Sequence, residues 1–403
     1  MPNISCLITP WRMKIYPIMI LMGIFLAVLF CVFSVHDGAI VTGRLGGDFP
    51  AFYAAGKLVA QGEIQSIYDS ERMLAEQQHV IPTGGYLPFV NPPHFACFYA
   101  PLGALPYNFA YLVYFCFQVL LLSYVVYVFA ALKYFDTSLF FFVLFVCITF
   151  YPLFKCVLGG QNSVISLFLL CLVWKFSTSG HEGLAGICLG LLLYKPQFAI
   201  PFIGLFFLAG YWRVVVSAIL VGSSIVCGTV FLLKHSFQDW LTFAFAFSER
   251  DASVNKLNSI SLSGVFDALS GGVKSPSLGL AELSAVLIVI SISMLWYKGK
   301  RKRNLNVLMA AACPAVLLIP PHVMYYDLGI CTLSVLLLLK DKVIGLIVVL
   351  IIWLLGCSQI FSHVLGFSPL FLVTLMIYGY FYHLAWSQGI EKLDTKLRAD
   401  KML

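Results

Sequence analysis

Charged side chains are scarce in this sequence. Asp, Glu, Lys and Arg make up 11% of the 403 residues, whereas hydrophobic residues make up 61%. A soluble globular domain contains about 25% charged and about 45–50% apolar residues. The composition therefore excludes an ordinary soluble domain, because lipid must cover part of so large an apolar surface.

Sequence motifs for metal or nucleotide binding are also missing. The twelve cysteines form no CxxC pair, none of the eight histidines lies in an HExxH motif, and there is no DxD pair and no glycine-rich phosphate loop. Zinc enzymes and nucleotide-dependent enzymes use such spacings. We therefore expect no metal site and no cofactor, and we interpret the cysteines as small hydrophobic residues.

Long apolar segments, by contrast, are abundant. They are about 20 residues long, which suits a membrane-spanning helix, and they lack the alternation of barrel strands. Since only helices and closed barrels satisfy their backbone groups in lipid, the sequence predicts an all-α polytopic membrane protein. We expect one multi-pass domain over residues 1–403 with about twelve transmembrane helices. The predicted spans are 15–35, 107–131, 138–156, 162–177, 183–195, 197–211, 213–233, 280–298, 304–320, 326–339, 343–361 and 367–385.

Basic residues are distributed unevenly between the predicted loops. The segments assigned to the cytoplasm contain 16 of the 25 Lys and Arg residues, whereas the long outer loops, 36–106 and 234–279, contain seven basic and ten acidic residues. This asymmetry follows the positive-inside rule and predicts a plasma (inner) membrane protein with both termini in the cytoplasm. The basic run 298–303 is expected to contact anionic lipid, so no nucleic-acid partner is predicted.

Two of the predicted spans are unusually short. Pro196 separates 183–195 from 197–211, because proline removes a backbone donor and disfavours helix in the residue before it. Half-length helices are tolerated in a membrane only where they face protein or a water-filled cavity. We therefore expect a cavity at this place that opens to the outer face.

The first of four polar clusters is GGDFPAFYAAG, at 46–56, where Asp48 lies between a glycine pair and aromatic residues. Apolar neighbours raise the pKa of a carboxylate towards the value that a general base needs. Asp48 is therefore a candidate catalytic base. A simpler explanation is an ordinary loop aspartate, or one that caps a helix beginning at Phe49 or Pro50, and the pattern alone leaves these alternatives open.

The second cluster is GGQNS, at 159–163. The carboxamides of Gln161 and Asn162 are suited to bind the hydroxyl groups of a sugar, since each has a donor and an acceptor. A turn in which Ser163 caps the next helix is the alternative. Both explanations fit a loop at the outer end of the third predicted span.

The third cluster is KPQ, between the two short spans, and its lysine is Lys195. An ammonium group flanked by apolar helices is costly unless it meets an anion or reaches the membrane interface. A lipid phosphate is such an anion. The sequence does not decide between phosphate binding and a side chain that simply extends to the interface.

The fourth cluster is PPHVMYYD, at 320–327, where His322 follows a proline pair and Asp327 begins the next predicted span. A histidine at the membrane interface can bind phosphate or relay protons. A histidine that hydrogen-bonds only to backbone is the alternative. All four clusters lie at the outer membrane face in the predicted topology, and this convergence is the stronger signal.

Taken in order, the clusters resemble glycosyltransferase family 87, polytopic GT-C enzymes that use polyprenyl-phosphate sugars. The resemblance extends from residue 46 to residue 328, while 107–160 and the chain after 340 match it mainly in hydrophobicity. It predicts a GT-C-like helical bundle whose outer loops carry the site. The segments that carry the resemblance are GGDFPAFYAAGKLVAQGEIQSIYD (46–69), NPPHFACFYAPLGALP (91–106), GGQNS, LAGICLGLLLYKPQ (184–197) and PPHVMYYDL (320–328).

The resemblance implies inverting transfer, typically of mannose, from a β-linked polyprenyl phosphate to a glycan or glycolipid acceptor at the extracytoplasmic face. Some relatives transfer a pentofuranose instead. The family's catalytic aspartate corresponds to Asp48, and the histidine of its late Pro-His motif corresponds to His322. Phosphate leaves without protonation, so one base and cations around the phosphate suffice, unlike the two carboxylates of a glycosidase. Membrane lipid is the remaining expected partner.

Two other functions compete with this interpretation. A transporter or flippase of lipid-linked saccharides would need ionisable residues near the middle of several spans. The predicted spans contain almost none, since acidic residues such as Asp69 and Glu282 lie in loops or at span ends. A non-catalytic assembly factor is the third possibility, and it would be favoured if Asp48 were buried away from any substrate.

Overall fold

The computed structural model describes residues 9–36, 39–44, 47–255, 257–270, 276–299, 304–340 and 342–400. The chain is 80% helical and its fold is all-α, as the sequence predicted. The described strands are β1 (Val35–His36) and β2 (Ala39–Ile40), which pair antiparallel with Val35 opposite Ile40. Helices therefore form most of the framework that positions the four polar clusters.

The helices follow the predicted apolar segments closely. They are α1 (Pro10–Val32), α2 (Val41–Arg44), α3 (Phe49–Ala60), α4 (Ser70–Gln78), α5 (Pro93–Gly103), α6 (Tyr107–Ala131), α7 (Phe140–Thr149), α8 (Tyr151–Leu158), α9 (Ser163–Thr178), α10 (Glu182–Leu191), α11 (Pro196–Leu208), α12 (Trp212–Leu232), α13 (Lys234–Val254), α14 (Leu262–Ser270), α15 (Pro276–Gly299), α16 (Leu305–Leu318), α17 (Thr332–Leu338), α18 (Lys342–Gly356), α19 (Ser362–Leu365) and α20 (Leu370–Asp400). Short 3₁₀ helices cover Ile64–Ser66, Thr137–Leu139, Leu192–Tyr194, Tyr325–Cys331 and Cys357–Phe361.

Six described helices are long and apolar enough to cross a membrane, and a seventh span is possible if one bent pair is counted. The prediction of about twelve spans is not confirmed. At five predicted spans the helices have only 10–17 residues, whereas a bilayer core requires about 20. The chain is nevertheless a multi-pass membrane protein. The six long segments are Trp11–Val32, Tyr107–Ala131, Trp212–Leu232, Gly279–Gly299, Ile347–Leu365 and Leu370–Ser387.

The bent pair replaces the predicted single span 138–156. The helical segments Thr137–Thr149 and Tyr151–Leu158 meet at an angle of 76°. Phe150, between them, has an extended ψ of 116°, and Pro152 occupies the first turn of α8. Proline lacks the N–H that would continue the earlier helix, but it is well tolerated in a first turn. The break therefore follows from Pro152.

The chain divides into two compact units, and the first consists of residues 1–168 and 225–247. In its core the backbones of α3 and α5 lie unusually close together. A Cβ atom on Gly56 would lie 2.3 Å from the Tyr99 carbonyl oxygen, and one on Gly103 would lie 2.2 Å from the Lys57 nitrogen. The rings of Phe52 and Tyr99 stack beside this contact with centroids 5.0 Å apart. This packing fixes α3, and Asp48 directly precedes α3.

The second compact unit consists of residues 169–224 and 248–403. Its core lies around α16, in which most side chains are buried. A helix that is apolar on all sides lies either in a protein core or in lipid, and the burial of α16 shows that protein surrounds it. The indole nitrogen of Trp174 donates to the Asn306 side chain over 2.8 Å, which ties α9 to the start of α16. The turn that contains His322 follows directly after α16.

Candidate active site

Asp48 immediately precedes α3, which begins at Phe49, one of the two starts that the capping explanation named. Its side chain does not cap that helix, so the capping explanation is wrong, while an ordinary loop aspartate stays an alternative. Asp69 provides the contrast, because its carboxylate caps α4 by accepting from the backbone nitrogens of Glu71 and Arg72. The Asp48 carboxylate, which is half-buried, instead accepts a hydrogen bond from the side-chain amide of Gln161.

Gly47, Gly159 and Gly160 allow Asp48 to meet Gln161, 113 residues further along the chain. The Phe49 nitrogen donates to the Gly159 carbonyl oxygen over 3.1 Å. A Cβ atom on Gly47 would lie only 2.3 Å from that same oxygen. Gly160 has a φ of +66°, a left-handed conformation that glycine adopts without strain. These close backbone contacts therefore place the Asp48 carboxylate and the Gln161 amide side by side.

Gln161 and Asn162 are both buried, with 6% and 1% of their surfaces exposed. The backbone carbonyl of Gln161 accepts from the Tyr114 hydroxyl over 3.3 Å. Helix α9 begins at Ser163 itself, so Ser163 lies inside the helix and does not precede it as the alternative required. Buried carboxamides usually have hydrogen-bond partners, and here the Gln161 amide donates to Asp48 and the Asn162 amide donates to Asn91.

Asn91 is a residue that the sequence analysis did not single out. Its side-chain oxygen accepts from the Asn162 amide over 3.4 Å, and its backbone carbonyl accepts from the Tyr68 hydroxyl over 2.7 Å. The signal was the conspicuous NPPH segment, whose first residue is Asn91. We call Asp48, Gln161, Asn162 and Asn91 the amide cluster.

His94, the last residue of NPPH, lies in the first turn of α5. Burial lowers its pKa to about 4, because removal from water disfavours the charged imidazolium. At neutral pH this side chain is therefore uncharged. The segment that brings Asn91 to the amide cluster thus adds no positive charge through its histidine.

Lys195 lies in the second unit, between the 3₁₀ turn that ends at Tyr194 and the start of α11. It is buried, with 6% of its surface exposed, so it does not extend to the interface as one alternative required. Its ammonium group meets the Asp327 carboxylate, with Nζ 2.7 Å from Oδ1. It also lies 5.3 Å from the centroid of the Phe198 ring, within range of a cation–π contact.

His322 is half-buried in the turn after α16, and backbone hydrogen bonds hold the residues around it. The Ile260 nitrogen donates to the Val323 carbonyl over 2.9 Å, and the Tyr325 nitrogen donates to the Asn258 carbonyl over 2.8 Å. The Ser261 hydroxyl donates to the Pro321 carbonyl over 3.0 Å. The Ser/Asn-rich segment 258–261 therefore fixes the backbone on both sides of His322.

Asp327 lies near the start of the apolar helical segment Tyr325–Leu338, as the sequence suggested, and belongs to its 3₁₀ part, Tyr325–Cys331. Its second oxygen, Oδ2, accepts from the Met324 nitrogen over 3.3 Å. One carboxylate thus connects Lys195 to the backbone two residues after His322. We call Lys195, Asp327 and the turn 321–324 the ion-pair cluster.

The structure thus groups the predicted residues by unit. Asp48, Gln161 and Asn162 meet in the amide cluster of the first unit. Lys195 and the turn that carries His322 are connected in the second. The described residues include no group of three His, Cys, Asp or Glu side chains that could hold a metal ion.

Comparison with known proteins identifies the class. The apolar helices define a multi-pass membrane protein, and the family model of glycosyltransferase family 87 matches residues 89–321. The chain therefore belongs to glycosyltransferase family 87 and is a glycosyltransferase. The matched region includes Gln161, Asn162 and Lys195, whereas Asp48 precedes it and His322 follows it directly. No curated protein and no solved structure matches the chain.

Proposed function

We propose that the protein transfers a sugar, mannose in the first instance, from a polyprenyl-phosphate donor to a glycan or glycolipid acceptor at the extracytoplasmic face, with inversion. The observation that carries the proposal is the position of Asp48. Its half-buried carboxylate precedes a firmly packed helix, does not cap that helix, and is oriented by Gln161. A carboxylate held in a fixed position in this way suits a general base, which must lie within hydrogen-bond reach of the proton that it takes.

The proposed reaction needs a single proton acceptor. Asp48 takes the proton from the acceptor hydroxyl as that oxygen forms a bond to the anomeric carbon. The bond between the anomeric carbon and the phosphate oxygen breaks on the opposite face, and polyprenyl phosphate leaves with the bonding electron pair. Attack opposite to the leaving group inverts the configuration, as in inverting glycosidases.

The other predicted residues are assigned to binding. Gln161 and Asn162 are proposed to bind sugar hydroxyl groups, since buried carboxamides reject a ligand that lacks the matching hydroxyl. Lys195 and His322 are proposed to contact the donor phosphate and to stabilise the charge that it gains as it leaves. The polyprenyl chain would lie in lipid against exposed apolar helix faces, such as the one with Phe231, which is 87% exposed.

The proposed orientation places both termini in the cytoplasm and the loops 36–106 and 234–279 outside the plasma (inner) membrane, within one multi-pass domain. The positive-inside distribution of basic residues supports it. Gln65 is exposed in the first outer loop, so Gln65→Cys is expected to react with an impermeant thiol reagent added from outside. Labelling only from the cytoplasmic side would contradict the orientation.

The transfer itself is tested with purified protein in nanodiscs. Radiolabelled polyprenyl-phosphate mannose, a pentofuranose donor and a nucleotide sugar are each supplied with a glycolipid acceptor. The proposal expects incorporation from a polyprenyl-phosphate donor and none from the nucleotide sugar. Incorporation from the nucleotide sugar alone would refute the proposed donor class.

One observation favours the alternative of a flippase for lipid-linked saccharides. Buried ionisable pairs are typical of transport pathways, and Lys195 and Asp327 form such a pair. Proteoliposomes distinguish the two functions. Movement of the lipid-linked sugar across the bilayer without any transfer to an acceptor would favour the flippase.

A further inference from the structure

The buried ion pair of the second unit has features that stability alone does not explain. Lys195 and Asp327 are 6% and 5% exposed, and their charged atoms lie 2.7 Å apart. Removing two charges from water costs about as much as their attraction returns, and apolar residues of similar volume often stabilise a fold equally well. Lys195 and His322 are the two residues proposed to bind the donor phosphate, so a role of the ion pair in function is expected.

Both oxygens of Asp327 are used, and they hold different parts of the chain. Oδ1 contacts the ammonium group at the start of α11, and Oδ2 accepts from the Met324 nitrogen. Met324 is the second residue after His322. A rigid planar carboxylate thus sets the relation between the Lys195 side chain and the turn that carries His322.

The same turn is held on its other side by the segment 258–261. The Ile260 nitrogen donates to the Val323 carbonyl, and the Tyr325 nitrogen donates to the Asn258 carbonyl. Ser259 pairs antiparallel with Met324. That segment is itself anchored, because the buried Gln359 donates to the Leu257 carbonyl over 2.9 Å. The turn is therefore clamped between this short pairing and Asp327.

We propose that Asp327 is a positioning residue for the transfer reaction, because its carboxylate keeps Lys195 and the His322 turn in the arrangement that receives the donor phosphate. This inference rests on the proposed function. Asp327 does not act on the substrate itself; it acts through Lys195 and through the Met324 backbone. Misplacing a catalytic group by about 1 Å can cost about 100-fold in rate.

The test uses two substitutions in the full-length protein. Asp327→Asn keeps the shape and a hydrogen-bond acceptor but removes the charge. Asp327→Glu keeps the charge, so that Lys195 stays compensated if the first variant fails to fold, but it moves the carboxylate by one methylene group. Asp267→Asn, in α14 of the same unit, is the matched control.

Kinetics with polyprenyl-phosphate mannose are measured on the folded fraction of each variant. The proposal expects kcat/KM for the donor to fall by about 10-fold to 100-fold in both Asp327 variants, with the acceptor KM and the Asp267→Asn control unchanged. Faster amide hydrogen exchange is also expected in the peptide 320–327 of Asp327→Asn, where the bond to Met324 weakens.

Two outcomes would overturn the inference. One is an Asp327→Glu variant with wild-type donor kinetics. The other is an Asp327→Asn variant whose folded fraction retains full specific activity, since a merely structural carboxylate changes yield and not kinetics. A wild type that transfers no sugar from any polyprenyl-phosphate donor would instead refute the proposed function, and this inference with it.

Discussion

The amide cluster and the ion-pair cluster hold their carboxylates in opposite ways. Asp48 is half-buried and faces the neutral amide of Gln161. Asp327 is buried and faces the ammonium group of Lys195. A carboxylate that neutralises a buried cation cannot take up a proton without leaving that cation uncompensated, whereas the contact with a neutral amide carries no such cost. Fixed charge geometry therefore suits the ion-pair cluster, and the proposed proton transfer is assigned to the amide cluster.

The largest effect expected from this difference is on catalysis. Asp48→Asn preserves the size of the side chain but cannot accept a proton, so turnover is expected to fall by about 10²–10⁴-fold. The midpoint of thermal unfolding is expected to change little. Single-turnover transfer and a thermal unfolding assay on the same purified sample measure both.

Asp69→Asn is the matched control, because an asparagine also caps a helix and the capping geometry of α4 is kept. It is expected to retain wild-type turnover. If Asp48→Asn also kept wild-type turnover, the base would have to be another residue. If it lost folded protein in step with activity, Asp48 would be structural.

The ion-pair cluster is expected to respond in the opposite way, mainly through stability. Lys195→Met leaves the Asp327 carboxylate buried without its cation, and removing one partner of such a pair costs about 3–5 kcal/mol. The double variant Lys195→Met/Asp327→Leu removes both charges, so it is expected to recover most of this stability but not donor use. The free energy of unfolding and the donor kinetics are the two measurements.

Lys175→Met is the matched control, since Lys175 is only half-buried near the end of α9. It is expected to leave the free energy of unfolding nearly unchanged. A double variant that stays as unstable as Lys195→Met would show that the cost arises from lost packing and not from an uncompensated charge.

A smaller effect on the amide cluster is expected from a substitution at Gly47, which lies against the Gly159 backbone. In Gly47→Ala the new Cβ atom would lie 2.3 Å from the Gly159 carbonyl oxygen, so the backbone before Asp48 must move. Overpacking of this kind costs about 1–3 kcal/mol, and a displaced base is expected to lower turnover by about 10-fold to 100-fold.

Gly85→Ala is the comparison variant, because no atom lies within 4 Å of its added Cβ. If Gly47→Ala and Gly85→Ala behaved alike in the unfolding and turnover assays, the close contact between Gly47 and Gly159 would be contradicted.

These cases show what the sequence could predict. Apolar length predicted the helices of the apolar segments, and Phe49, where α3 begins, is one of the two starts that the sequence suggested. Apolar length did not predict which of these helices are long enough to span a membrane. Helix breaks such as the one before Pro152 depend on local geometry, which a hydropathy average over many residues does not detect. The membrane class was therefore predictable, while the count of about twelve spans was not confirmed.

The chemistry of the clusters was predicted in part. Asp48, Gln161 and Lys195 were singled out because polar groups are conspicuous in an apolar chain. The pairings of these residues were not predicted, because Gln161 is 113 residues from Asp48 and Asp327 is 132 residues from Lys195. Spacing along the chain carries no signal for such contacts. Only the folded chain shows that Lys195 already has a carboxylate partner.

The smallest expected effect concerns pH and the segment that supplies Asn91 to the amide cluster. The pKa of His94 is lowered to about 4 by burial, whereas a histidine in the unfolded chain titrates near 6.5. Between these two values the unfolded chain binds a proton that the folded chain does not, so stability falls as the pH falls from about 6.5 towards 4. Above about pH 6.5 the histidine contributes no pH dependence.

His94→Gln removes this titration, so the unfolding midpoint of the variant is expected to decline less steeply than that of the wild type as the pH is lowered from 6.5 to 4.5. His79→Gln is the matched loss of a histidine at an exposed position of the same unit. The His94 variant is also expected to keep its transfer activity at neutral pH, because the neutral histidine near Asn91 then contributes only through packing. A wild-type slope in His94→Gln would mean that this histidine is solvated, and that the surroundings of the amide cluster are wetter than its buried carboxamides indicate.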